Sequence, residues 1–350
     1  MQHSFTRRAA ALALAAASAL ALVLPMQGAQ AEEATAIKFV LDWKLQGVHA
    51  WYYLAEDKGY FAQEKLAVTI DQGDGSASAV TKVMNGAYDA AFGDVNAIIQ
   101  NAAAKPGAAP VMVYMIYNRA PFALIVKASS PIKTLKDLEG RTLGTVAGGA
   151  ASRMFPIMAA RSGVDASKVS WTNVAPNLQE QLMLKDHVEG SAVFSVTSYM
   201  NLVAQGVDPD KDIRWFHYGD HGVDLYGNGV LVSQQLIKER PQAVAGLVRA
   251  VNKAIRDTVA DPDAAIASLM KREPLLNKDL EKKRLMYALK TVVLTPDVAA
   301  GGLGDVNDAR LARSITQVKD AFELQRAPAA KEIFDRKFLP PLAERRIAAP

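Results

Sequence analysis

Short apolar runs alternate along the chain with longer stretches whose apolar residues recur at three- and four-residue steps. Ile37–Leu41, Leu66–Ile70, Ala90–Phe92 and Val111–Tyr117 read as strands, each a brief apolar or alternating run. Between them His49–Phe61, Ser76–Met84 and Asn96–Ala104 carry helical spacing, and Ser76 offers a capping oxygen. A second cycle follows, with strands at Leu124–Val126, Thr142–Val146, Val169–Trp171, Ala192–Phe194 and Val230–Val232. Helical runs at Thr134–Leu138, Ala151–Ser162 and Leu178–Leu184 separate them. This β–α alternation predicts parallel sheets with helices on both faces. From Pro241 onward the chain is helical. There Val244, Leu247, Val248, Val251 and Ile255 form one apolar stripe. A helical tail without a core of its own is expected to pack back onto one of the α/β units.

The pattern therefore predicts two α/β lobes with a cleft between them. Lobe 1 is expected over residues 32–121, lobe 2 over 122–229, and a return to lobe 1 with the C-terminal helices over 230–350.

The N-terminus changes where this fold is expected to work. Arg7 and Arg8 precede an apolar run from Ala9 to Leu24, Pro25 breaks it, and Ala29–Ala31 supplies small residues at the positions a signal peptidase reads. Residues 1–31 are read as a secretory signal peptide. The run is shorter than the roughly 20 residues that span a bilayer. Ala9 and Ala10 after the arginine pair favour the general export route over the twin-arginine one. Without Arg7 and Arg8 the balance is 38 basic to 36 acidic residues, close to neutral. No basic block with interleaved aromatics is present, so nucleic acid is excluded as a partner. The chain has no cysteine. That excludes disulfides, thiol catalysis, thiolate metal sites and a lipid-bearing cysteine. A freely diffusing exported protein needs an enclosed compartment, so the periplasm of a Gram-negative cell is expected.

Ligands of open α/β sheets bind beyond the carboxyl ends of strands and at domain interfaces. Four loops follow strands in this way, and a fifth precedes the strand at Val230–Val232. The first, Asp42–Tyr53, is rich in aromatics. Trp43 is the candidate to stack on a flat ligand and His49 a polar neighbour, while Trp51 and Tyr52 read as helix anchors in the core. The second brings Asp94 and Asn96 to a helix start, where they either cap the helix or meet the ligand. In the third, Gly148, Gly149, Ala150, Ala151 and Ser152 open a helix and present backbone N–H groups to a carboxylate, sulfonate, phosphate or carbonyl. The fourth offers Ser195 and Thr197, and the fifth Tyr226 and Asn228, as hydrogen-bonding or turn-forming groups. Asp42, Asp94 and Asp224 near these loops weigh against a bare anion.

No nucleophile elbow, phosphate-binding loop or zinc-protease motif is present. His217 and His221 lack a third ligand of suitable spacing. Neither catalysis, metal nor cofactor is expected.

Leu41-Asp42-Trp43 with His49-Ala50, Lys58-Gly59-Tyr60-Phe61 with Leu66, Met84-Asn85-Gly86-x-Tyr88-Asp89, Leu135-Lys136-Asp137-Leu138-x-Gly140 and Gly148-Gly149 carry a resemblance. Together they resemble the periplasmic binding proteins for thiamine-pyrimidine precursors, whose relatives serve riboflavin, sulfonates, taurine and nitrate. The resemblance spans nearly the whole exported chain. It implies a type II periplasmic binding protein, α/β in class. Two doubly wound lobes would be hinged by two crossovers near Pro121–Val126 and Gly229–Ser233, with the C-terminal helices on lobe 1. It implies that Trp43 stacks on a ring and that Gly148–Ser152 faces the ligand. It further implies delivery to the permease of an ABC importer, with its ATPase in the inner membrane, by a monomeric carrier. A planar heterocycle or aromatic nutrient leads, with a sulfonate, taurine, nitrate or carboxylate as alternatives. Pyrimidine synthases of the same family are implied to use a cysteine-rich motif inside cells. The missing cysteine and the export signal separate this chain from them.

Overall fold

A computed structural model describes residues 34–347, and the expected signal peptide lies outside them. Among the described residues, ten strands form two five-stranded sheets. The first sheet runs in the order β2-β1-β3-β10-β4. It is built from β1 (Thr35–Val40), β2 (Leu66–Asp71), β3 (Ala90–Asp94), β4 (Val111–Met115) and, from far along the chain, β10 (Asn228–Val232). The second runs β7-β6-β8-β5-β9, from β5 (Phe122–Lys127), β6 (Thr142–Thr145), β7 (Ser170–Asn173), β8 (Gly190–Phe194) and β9 (Ile213–His217). We call the body around each sheet lobe 1 and lobe 2.

The sheets are mixed rather than wholly parallel. In each, one strand runs against its neighbours: β10 is antiparallel to β3 and β4, and β5 is antiparallel to β8 and β9. These strands open each return from one lobe to the other, so their direction is set by the crossing and not by a local β–α repeat. The crossing segments lie at 116–121 and 218–227, earlier than the resemblance implied, because Phe122–Lys127 and Asn228–Val232 are already paired in sheets. They also bond to each other. Ala120 N–H donates to Leu225 O at 3.1 Å and Gly227 N–H to Tyr117 O at 2.9 Å.

Strand position explains the burial. Every residue of β3 and β10 is buried, as an inner strand with both faces covered requires, and so is β4 at one edge, where Phe334 and Gly304 pair with Met112 and Met115, whereas β2 at the other edge alternates. Helices α1 (Ala50–Asp57), α2 (Ser76–Met84) and α3 (Val95–Ala104) flank the first sheet; α4 (Ala150–Arg161), α5 (Gln179–Leu184) and α6 (Ser195–Ala204) flank the second. Trp51 and Tyr52 of α1 are core residues packed on Phe92 of β3. Burying such a side chain contributes about 1.5–3 kcal/mol.

The C-terminal region supplies α7 (Pro241–Ala260), α8 (Pro262–Arg272), α9 (Lys278–Ala288) and α10 (Asp308–Ala321). The stripe on α7 packs with α8 on α1 of lobe 1. Two helices reach further: α9 touches both the Gly47–His49 turn and α6 of lobe 2, and α10 lies on both α3 and α4.

Candidate ligand-binding cleft

A cavity lies between the lobes at the carboxyl ends of their strands. Its lobe 1 wall begins where β1 ends. Asp42 is buried there, with both carboxylate oxygens engaged. Oδ1 lies 2.8 Å from His49 Nε2, and Oδ2 accepts from Asn228 Nδ2 at 2.7 Å. Gln46 N–H donates to His49 Nδ1 at 3.1 Å. Nδ1 is therefore the acceptor, and the proton sits on Nε2, aimed at Asp42. Trp43 follows Asp42 and stands half-buried in the cavity wall, with Ser76 at the start of α2 beside it.

The lobe 2 wall is different in kind. It consists of Val146, Gly149, Ala150 and Ala151 around the start of α4, the end of β8, Gln179, and Thr197 and Ser198 in the first turn of α6. Gln179 is fixed by donating from Nε2 to Ala192 O at 2.8 Å. First-turn N–H groups of α4 and α6 have no partner within their own helices, so this wall offers donors but no charged side chain. Glu180, one residue further, faces a neighbouring chamber. Burial pushes its carboxyl up, while Ser198 Oγ–H and Asn201 Nδ2–H donate to its Oε1.

The lobes meet around the cavity. Thr197 Oγ1 donates to Gln46 Oε1 at 3.2 Å. Gly148 O accepts from Ala77 and Ser78 N–H at 3.2 and 3.3 Å, capping α2 of lobe 1 with a carbonyl of lobe 2. Arg153 Nη2 donates to Gln100 Oε1 at 2.8 Å. The cleft is thus closed. The inner cavity has room of about 40 Å³ for water-sized occupants, whereas an apolar cavity that takes up benzene is about 150 Å³. The inner cavity is too small for a benzene-sized ring. Beyond Trp43 a more open chamber of about 400 Å³ leads outward, past Gln46, Glu180 and Asn201.

The candidates from the sequence separate into three groups. Trp43, Gly149, Ala150, Ala151 and Thr197 line the inner cavity. His49 and Asn228 stand behind it, holding Asp42. The rest are placed elsewhere. Asp94 caps α3, accepting from Asn96 and Ala97 N–H, and burial pushes its carboxyl up to about 6. Asn96 Nδ2 donates to Asp94 Oδ1 and to Tyr226 O. Tyr226 belongs to the crossing, its hydroxyl accepting from Asn307 N–H and its ring beneath Arg310. Gly148 turns its carbonyl to α2, Ser152 Oγ accepts from Thr145 Oγ1, and Ser195 lines a separate hinge-side cavity.

Asp42, Gln179 and Ser198 were not among the candidate contacts. Asp42 carried a signal, an acid at a strand end beside Trp43. Gln179 carried none, since its position in a helical run says nothing of β8.

Two lobes, two crossings and a cleft at the strand ends define the periplasmic-binding-protein fold. The alkanesulfonate-binding protein SsuA of Xanthomonas axonopodis pv. citri, solved bound to MOPS, shares that fold. It superimposes at a TM-score of 0.66 and 16% identity, covering 87% of this chain and 100% of its own. The chain belongs to the NMT1/THI5-like family, whose sequence profile matches residues 46–265. It is similar to the riboflavin-binding protein RibY of Chloroflexus aurantiacus, 27% identical over 220 residues. That match spans 61% of this chain and 60% of RibY's length. The formylaminopyrimidine-binding protein of Halalkalibacterium halodurans is 25% identical over 312 residues, covering 86% of this chain and 89% of the relative.

Proposed function

We propose that this chain is a non-catalytic periplasmic solute-binding protein. It captures a small planar heterocycle by lobe closure and delivers it to the permease of an ATP-driven importer. The observation that carries this reading is the pairing of Trp43 with a fixed, buried Asp42 in a cavity whose lining holds no cationic side chain. A carboxylate accepts hydrogen bonds and donates none. It favours a ring with N–H or amino groups on one edge and opposes a sulfonate, nitrate or carboxylate. The opposite wall, with the first-turn N–H groups of α4, suits acceptor atoms on the other edge of the same ring. Stacking on Trp43 adds about 1–3 kcal/mol, as aromatic–base stacking does elsewhere. The names of two relatives, for riboflavin and formylaminopyrimidine, point to planar heterocycles as well.

A thermal-shift screen of the chain from residue 32 onward tests it, because a ligand that binds only the folded state raises the melting temperature. Flavins and aminopyrimidines are expected to stabilise it, and aliphatic sulfonates and nitrate are not. Trp43→Ala should weaken the best planar ligand about 5- to 150-fold, the range that stacking energy implies. A sulfonate that stabilises the wild type and Trp43→Ala equally would overturn the reading.

A further inference from the structure

We propose that Arg284 is a positioning residue of the ligand site. Held by Glu281 on lobe 1, it reaches across the cleft, fixes the first turn of α6 over the cavity, and so favours the closed form. This rests on the lobe-closure part of the proposed function.

Glu281 and Arg284 lie one turn apart on α9, and both side chains are almost wholly buried, at 4% and 2% exposure. Their contact is two-pronged. Arg284 Nε donates to Glu281 Oε2 at 2.9 Å, and Nη2 to Oε1 at 3.2 Å. Glu281 Oε2 also accepts from Gly47 N–H at 2.6 Å. Gly47 ends the loop that carries Asp42 and Trp43, and it fits tightly there: a Cβ on it would stand 2.1 Å from Glu281 O. The pair is therefore anchored to the lobe 1 wall of the cavity.

The remaining guanidinium bonds all go to lobe 2. Nη1 donates to Thr197 O at 2.5 Å, and Nη2 to Asn201 Oδ1 at 3.1 Å. Thr197 lines the cavity and gives its hydroxyl to Gln46. Asn201 passes the contact on, since its Nδ2 donates at 3.3 Å to Glu180, which also holds Ser198. One guanidinium thus ties the Trp43 loop to both hydroxyl residues of the opposite wall.

A buried ion pair is weak support for stability, because desolvation offsets much of the attraction. Positioning is a better account of this one. Its fork is ordered by Glu281 whether or not lobe 2 is near, so closure need not freeze a free arginine. Of the bonds Arg284 makes, parting of the lobes breaks only those to Thr197 and Asn201.

The absence of cysteine makes the test direct. Lys44→Cys and Asn177→Cys place two spin labels on exposed positions at opposite rims of the outer chamber. Pulsed dipolar spectroscopy then reads lobe separation without any ligand. Arg284→Met, and Glu281→Gln/Arg284→Met in which no lone charge is left buried, should each lower the closed-to-open ratio about 10- to 100-fold. Arg284→Lys should recover part of it, because one ammonium can reach Thr197 O but cannot serve Glu281 and Asn201 as a fork. Melting of the double variant within a few degrees of the parent would separate closure from folding. Distance distributions unchanged in both methionine variants would overturn the proposal. Because no ligand is added, this outcome is independent of whether flavins, aminopyrimidines or anions bind.

Discussion

The two walls of the cavity are built on opposite plans. Lobe 1 contributes a carboxylate and an indole, and the carboxylate is held by its own bonds to His49 and Asn228 on the same lobe. Lobe 2 contributes small residues, backbone N–H groups and two hydroxyls, and Thr197 meets lobe 1 through Gln46 and Arg284. On the proposed function, the first wall is prepared before the ligand arrives and the second is completed by closure. Binding on the first should therefore set which ligand edge is recognised, and contacts at the seam should set how long it stays.

The strongest way to break this comparison is Asp42→Asn. His49 Nε2–H can still donate to the new amide oxygen. Asn228 Oδ1 is buried without a partner, so a turn of the Asn228 amide can accept from the new amide N–H₂. The substitution thus removes the charge with little loss of packing. A hydrogen bond to a charged group contributes about 1.5–3 kcal/mol, so affinity for an amino-bearing ring should fall about 10- to 150-fold per bond. Titration calorimetry reads this, with the melting temperature of the unliganded protein as control. Unchanged affinity would remove Asp42 from the recognition of the ring.

A smaller effect sharpens the role of the seam. Gly148 O approaches the start of α2 so closely that a Cβ on Gly75 would stand 2.6 Å from it. The obstacle is backbone, which cannot swing aside as a side chain can. Gly75→Ala should leave the Asp42–Trp43 wall intact and hinder closure. We expect affinity to fall about tenfold, or about 1.4 kcal/mol, mostly through faster dissociation in stopped-flow traces. An equal fall in association rate with no change in dissociation would place the effect before closure.

The two walls also differ in how far they can be read from sequence. Strand ends and helix starts are local, so Trp43, Gly149–Ala151 and Thr197 follow from periodicity and glycine placement. Asp42 is local too, but its burial depends on Asn228, more than 180 residues away. Arg284 sits in a Lys-Lys-Arg run that looks like a solvated face. Its burial comes from α6 of the other lobe. In the fold, the strand around His217 is read from sequence without bounds, because Arg214 and His217 interrupt a short run whose partner, β5, lies far upstream. The antiparallel course of β5 and β10 is likewise set by the crossing, which no local period encodes.

Asp94 gives the smallest effect on the cleft and a distinct one on stability. It caps α3 away from the inner cavity, so Asp94→Asn should leave ligand affinity unchanged. Burial raises its carboxyl from 3.8 to about 6 in the folded protein, against the opposing donors of Asn96 and Ala97. Between about pH 4 and 6 the folded state then keeps a proton that the unfolded state has released. Stability on this account falls as pH rises through that window, and above it the loss is complete, up to about 3 kcal/mol. Asparagine cannot ionise and is an equally good cap residue. The variant's stability relative to wild type should therefore climb from pH 4 to pH 6 and level off. Urea unfolding at pH 4, 5, 6 and 7.5 reads that difference, and a flat difference would mean that Asp94 is already ionised throughout. Either outcome leaves the lobe 1 wall to Asp42, because the two acids share no hydrogen-bonding partner.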